Sequence, residues 1–121
     1  MKVVLDSNFV LVPIQFKVDV FGEIPRLIDE KIEYVVLSPC VDELKALRGR
    51  EKIAASTMLE FLKKKGVKTA NVSGRPDDAI VEYAAKNGAI VCTNDKELRQ
   101  RLREKGVKTI FLRKKSFLAV N

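Results

Sequence analysis

Five short apolar runs, at residues 3–5, 34–37, 69–72, 89–92 and 109–112, punctuate a chain whose longer segments alternate apolar and polar positions at helical spacing. The runs have strand length, and the segments between them have helix length. One segment, 51–65, places Ile53, Ala54, Met58, Phe61 and Leu62 on one face and stops at Gly66. A second, 77–87, is opened by Pro76, closed by Gly88 and carries Ile80, Val81, Ala84 and Ala85 on one stripe. A third begins with Asn94 as N-cap and Glu97 completing a capping box, turns Leu98 and Leu102 inward and ends at Gly106. Pro13, Gly22 and Pro25 interrupt residues 8–31, which read as two short helices. Strands alternating with amphipathic helices predict an α/β fold around a central parallel sheet of about five strands. Residues 1–121 fit one domain, and the tail 114–121, basic then apolar, has two places to pack: on the domain or on a neighbouring chain.

Composition narrows the class. No apolar run approaches the roughly 20 residues of a membrane span, and the start Met1-Lys2-Val3-Val4-Leu5 reads as a strand with no cleavable leader, so a cytoplasmic protein is the expectation. Cys40 and Cys92 are too few for a disulfide framework and sit beside apolar runs, which makes them core residues without a metal role. The net charge of +7 is unevenly laid out: residues 1–44 hold 4 basic and 8 acidic side chains, 45–68 hold 8 and 2, 69–94 hold 2 and 3, and 95–121 hold 9 and 3. Two basic blocks around an acidic remainder suit a polyanion whose scissile phosphate reaches the acids. Solvated helix faces, or the Lys, Arg and Glu enrichment of a thermophile, explain the charge alone equally well.

The chain has no histidine, so no imidazole base or ligand is available. Asp6, Glu43, Asp78 and Asp95 each follow a strand-like run or fall in the first turn of the next helix, where an open α/β sheet collects its ligand site. Singly, each is explained by capping or by the helix dipole, the latter worth about 0.3 to 1 kcal/mol. Those roles do not explain convergence. If the runs at 3, 34 and 89 are adjacent parallel strands, the four carboxylates share one rim, and their mutual repulsion calls for a hard divalent cation, Mg²⁺ or Mn²⁺, one ion or two.

Leu5-Asp6-Ser7-Asn8, Val41-Asp42-Glu43-Leu44, Asp78-Ala79-Ile80 with Ala84 and Gly88, and Val91-Cys92-Thr93-Asn94-Asp95 resemble, in order, the four signature blocks of PIN-domain nucleases. The likeness runs from Met1 to about Arg113. It is greatest to the PIN proteins related to the small-subunit ribosomal RNA processing nuclease and more distant to toxin–antitoxin ribonucleases. The resemblance implies a three-layer α/β/α sandwich in which Asp6, Glu43, Asp78 and Asp95 bind Mg²⁺ or Mn²⁺ and hydrolyse RNA. Asn8 and Thr93 match supporting positions, Ser7 stands where many relatives have Thr, and Glu97 is a secondary acid. Lys45, Arg48, Arg50, Lys52, Arg99, Arg101 and Arg103 would grip flanking phosphates, whereas Phe9 and Phe16 read as core. The rivals are a non-catalytic RNA-binding or assembly module on the same fold, a toxin-type ribonuclease, and, third, a receiver-like domain, for which no Lys follows the 89–92 strand. A homodimer and a protein regulator are further expected partners.

Overall fold

The computed structural model describes all 121 residues. In chain order they form β1 (Lys2–Leu5), α1 (Ser7–Val10), α2 (Val12–Gln15), α3 (Val20–Leu27), β2 (Glu33–Leu37), α4 (Ser38–Lys45), α5 (Gly49–Lys64), β3 (Lys68–Ala70), α6 (Pro76–Asn87), β4 (Ile90–Cys92), α7 (Lys96–Glu104), β5 (Thr109–Arg113) and β6 (Phe117–Val120). The sheet has the order β3-β2-β1-β4-β5-β6. Its first five strands are parallel, with Val3 beside Tyr34 on one side and Ile90 on the other, and β6 runs antiparallel to β5. Successive strand side chains point to opposite faces. Because Val3, Val4 and Leu5 are all buried, both faces of the sheet are covered, which makes the fold a three-layer α/β/α sandwich.

The sixth strand corrects the expected five. The tail turns back through Lys114 and Lys115, both at positive φ (53° and 55°), and Ser116 N donates to Arg113 O at 3.1 Å to close the turn. Leu118 is buried by this return, and its backbone N donates to Glu23 Oε1 of α3 at 3.0 Å, so part of the exposed sheet edge is covered. Residues 8–31 form parts of three helices instead of two, with Pro25 in the last turn of α3. On α5 the buried stripe is Ala55, Met58 and Leu62, while Ile53 and Phe61 face outward. Phe61 leans on Phe21, which packs edge-on against Tyr34. On α6, Ala79 is buried and Ala85 is exposed, a small rotation of the expected stripe. No helix is long and apolar enough to cross a membrane.

Strand order places the site. From β1 the chain steps to β2 and β3 on one side and returns through α6 to β4 on the other, so the order reverses between β1 and β4. A crevice opens at the carboxyl ends of strands flanking such a reversal. Only three buried residues are polar, Asp6, Thr93 and Thr109, and the first two sit at the ends of β1 and β4.

Candidate active site

Asp6 leaves β1 at the reversal point, and its backbone N donates to Cys92 O at 3.0 Å, which ties it to the end of β4. Its carboxylate is 4% exposed. Oδ1 accepts from Ser7 N at 2.8 Å, and Oδ2 accepts from the Thr93 hydroxyl at 2.6 Å. Each oxygen thereby uses one acceptor position and keeps another for the crevice. No lysine or arginine pairs with it. Burial pushes the carboxyl up from 3.8 to about 6, opposed by the Thr93 and Ser7 bonds and raised further by the charges of Asp77 and Glu43.

The Thr93 hydroxyl joins two of the expected acids. It donates to Asp6 and accepts from Asp95 N at 3.1 Å, while Asp95 Oδ1 caps α7 by accepting from Leu98 N at 3.0 Å. Asp6 and Asp95 are therefore both helix caps and both members of one network, so capping and convergence hold together. Glu43 does not occupy a first turn as expected. It is the sixth of the eight residues of α4, where a dipole role is weak, and its Oε1 accepts from the Ser7 hydroxyl at 2.7 Å.

Asp77 and Asp78, both exposed, line one cleft with Glu43, and of the two it is the charge of Asp77 that bears on Asp6. Burial raises the Asp77 carboxyl, and the charges of Asp95 and Glu43 raise it further, with Arg101 opposing. Asp78 Oδ1 instead accepts from Arg101 Nη2 at 2.8 Å in an exposed ion pair. Along the helix Asp77 leads to Ile80, Val81 and Ala84 at three, four and seven residues, all buried, and Asp78 leads to buried Val81 at three and to exposed Glu82 and Ala85 at four and seven.

Three other expectations change. Asn94 does not cap α7; its side chain accepts from Leu112 N at 2.8 Å. With Asp95 as cap, Glu97 falls one residue short of the position that closes a capping box, and it is exposed. Cys40 is buried as expected, yet its Sγ lies within 4.8 Å of ligand atoms of Asp6 and Glu43. Burial, with those two charges, pushes the thiol up to about 12, so it stays protonated. Asn8 Oδ1 accepts from Asn94 N at 3.4 Å, a long bond between the loops that follow β1 and β4.

Among the basic candidates, only Arg101 lines a cleft with the acids. That cleft holds about 300 Å³ between Glu43, Asp77, Asp78, Arg101 and Arg75, the last a residue missed in the sequence. Arg99 lies with its guanidinium carbon 4.0 Å from the centre of the Phe111 ring. Lys45 lines a separate groove with Leu59 and Val67, and Arg48, Arg50, Lys52 and Arg103 are exposed.

The donor set fits a hard divalent ion. A buried carboxylate without a cationic partner carries a large desolvation penalty, which a bound ion would relieve. Glu43 comes within 4.8 Å of it, Asp77 is near enough for its charge to raise it, Asp95 shares the Thr93 hydroxyl with it, and all three offer oxygen donors. Those residues would hold the ion.

A parallel sheet with carboxylates gathered at its reversal point defines a class of α/β domains with an acidic metal-binding crevice. The family described as PIN like domain matches residues 3–115, and the chain belongs to it. The chain is 35% identical to Ribonuclease VapC4 of Methanocaldococcus jannaschii over 128 residues, covering 98% of this chain and 95% of that protein. It is 30% identical to Ribonuclease VapC9 of Archaeoglobus fulgidus over 114 residues, covering 91% of this chain and 82% of that one. Among solved structures, the PIN domain endonuclease Utp24 superposes with a TM-score of 0.82 at 26% identity, over 99% of this chain and 90% of that chain. The receiver-like reading falls with this membership.

Proposed function

We propose that the chain is a Mg²⁺- or Mn²⁺-dependent endoribonuclease, acting in the cytoplasm, with Asp6, Glu43, Asp77 and Asp95 as the metal-holding set. The observation that carries this reading is the buried Asp6 carboxylate at the sheet reversal, which no lysine or arginine pairs, joined to Asp95 through Thr93 and to Glu43 through Ser7. When bound, the divalent ion would supply an acidified water and neutralise charge at the phosphate. The chain's own groups set the geometry. Thr93 and Ser7 fix the Asp6 carboxylate plane, the α7 cap holds one Asp95 oxygen and leaves the other free, and Ser7 steadies Glu43. Arg75 and Arg101, in the cleft beside Asp77, hold a phosphate of the RNA chain.

The relatives named ribonucleases support RNA as substrate. Identity to them, 35% and 30%, exceeds the 26% to Utp24, so a toxin-type ribonuclease stands ahead of a ribosomal RNA processing enzyme. A second copy or a protein regulator would meet the chain on α5, where Ile53 is 70% exposed.

The test pairs Asp77→Asn with Asp78→Asn in Mn²⁺-dependent cleavage of end-labelled RNA. The Asp77 variant is expected to lose about 10- to 100-fold, since a lost ligand or its support costs on that order. The Asp78 variant, which breaks only an exposed ion pair worth under about 1 kcal/mol, keeps most activity. Equal losses would overturn the choice of Asp77. Mn²⁺ binding without cleavage of any RNA by the unaltered chain would favour the non-catalytic module.

A further inference from the structure

Two clefts meet at Glu43. One is the arginine-lined cleft of about 300 Å³, which has no hydrophobic lining residue. The other, about 220 Å³, lies between the α1–α2 segment and the α4–α5 segment and has leucines where the first has arginines. Its apolar surface is formed by Leu11, Leu44 and Leu47, the first two buried in the core and so fixed in place. Its polar groups are Asn8, Gln15 and Glu51, together with Ser7 and the shared Glu43. No lysine or arginine lines it, and with two carboxylates it repels a phosphate. Its volume falls below the roughly 300 to 1,000 Å³ of pockets that bury a drug-sized ligand, and suits one planar ring system.

A cleft lined by leucines together with amide and carboxylate groups can meet both the face and the hydrogen-bonding edge of an unstacked nucleobase. We propose that this cleft is a nucleobase subsite in which Glu51 accepts from an exocyclic amino group. RNA then crosses Glu43 with a base on the leucine side and a phosphate on the arginine side. The proposal rests on the ribonuclease reading for the class of ligand. An ionised carboxylate is acceptor-only. Adenine, cytosine and guanine present an amino donor, whereas uracil presents a carbonyl acceptor where cytosine has its amino group, so uracil is disfavoured. Glu51 lies in the first turn of α5 and is exposed, so a role in the helix dipole does not prevent it from meeting a ligand.

The experiment measures binding of fluorescent five-nucleotide oligo(C), oligo(A) and oligo(U) to the full chain by anisotropy in Ca²⁺, with cleavage of the same RNAs in Mn²⁺ as a second arm. Oligo(C) and oligo(A) are expected to bind about fivefold or more tightly than oligo(U), the size of one hydrogen bond to a charged group at a wet site. Glu51→Gln, whose amide can also donate, should bring the ratio close to one, and Gln15→Ala should weaken all three. Far-UV circular dichroism checks that both variants are folded. Equal binding of oligo(C) and oligo(U), no binding of any, or a preference that persists in Glu51→Gln overturns the subsite. Cleavage without base preference would remove the subsite and leave the nuclease reading; base preference without cleavage would do the reverse.

Discussion

Replacing Asp6 by Asn should make the metal-free protein more stable at neutral pH while destroying its metal site. The Asp6 carboxyl is raised chiefly by burial, from 3.8 to about 6. At about 1.36 kcal/mol per tenfold change in proton affinity, that gap is worth about 3 kcal/mol. Below pH 3.8 the group is protonated in both folded and unfolded chains, and no penalty exists. Between 3.8 and about 6 the unfolded chain ionises first, so stability falls as pH rises, and above about 6 the full penalty persists. Asn is an uncharged stand-in for the protonated acid. Urea unfolding in EDTA should therefore give near-equal stabilities at pH 4 and an advantage of about 3 kcal/mol for the variant at pH 7.5. With a urea slope of about 1 to 3 kcal/mol per molar, the midpoint rises by roughly 1 to 3 M. Mn²⁺ at about 100 times its dissociation constant should return about 2.7 kcal/mol to the unaltered chain and nothing to the variant. A variant no more stable than its parent at pH 7.5, or an advantage that does not change with pH, would refute the idea that Asp6 bears an uncompensated buried charge.

Two further predictions concern its surroundings. Thr93→Val removes the hydroxyl shared by Asp6 and Asp95 N; calorimetry should show Mn²⁺ affinity reduced about 10- to 100-fold and urea unfolding a loss of about 1 to 3 kcal/mol, and unchanged affinity would mean that the hydroxyl does not align the carboxylate. Gly88→Ala places a side chain at φ +60° with nothing within 4 Å to clash, so thermal melting should report a loss of roughly 1 kcal/mol from backbone strain alone, with cleavage retained.

Much of this architecture was legible because it follows from periodicity. The apolar runs gave β1, β2, β4 and β5 within a residue or so, and Gly66, Gly88 and Gly106 marked helix ends that the structure keeps at positive φ. The tail was not assigned because two lysines at positive φ are an unusual hairpin turn, and without it residues 117–120 have no visible partner. At the site, Asp6, Glu43, Asp78 and Asp95 were picked out by their place after strands or in a first turn, whereas Asp77, next to Asp78, was not. Adjacent acids in a first turn look equivalent until the buried stripe of the helix is tracked to its final register. The Ser7–Glu43 bond and the nearness of Cys40 to Asp6 join segments more than thirty residues apart, and no local pattern encodes such meetings. The basic blocks gave the sign of the partner's charge but not the phosphate contacts, since Arg99 stacks on Phe111 and Lys45 lies in another groove.

The central claim is that carboxylates from β1, α4, α6 and the start of α7 form one divalent-ion site. Anomalous diffraction from crystals of the full chain soaked in Mn²⁺ tests it most directly. The account predicts a peak bounded by Asp6, Glu43, Asp77 and Asp95, lost in Asp6→Asn crystals. A peak elsewhere, or none at millimolar Mn²⁺ with the crevice open to solvent, would contradict it.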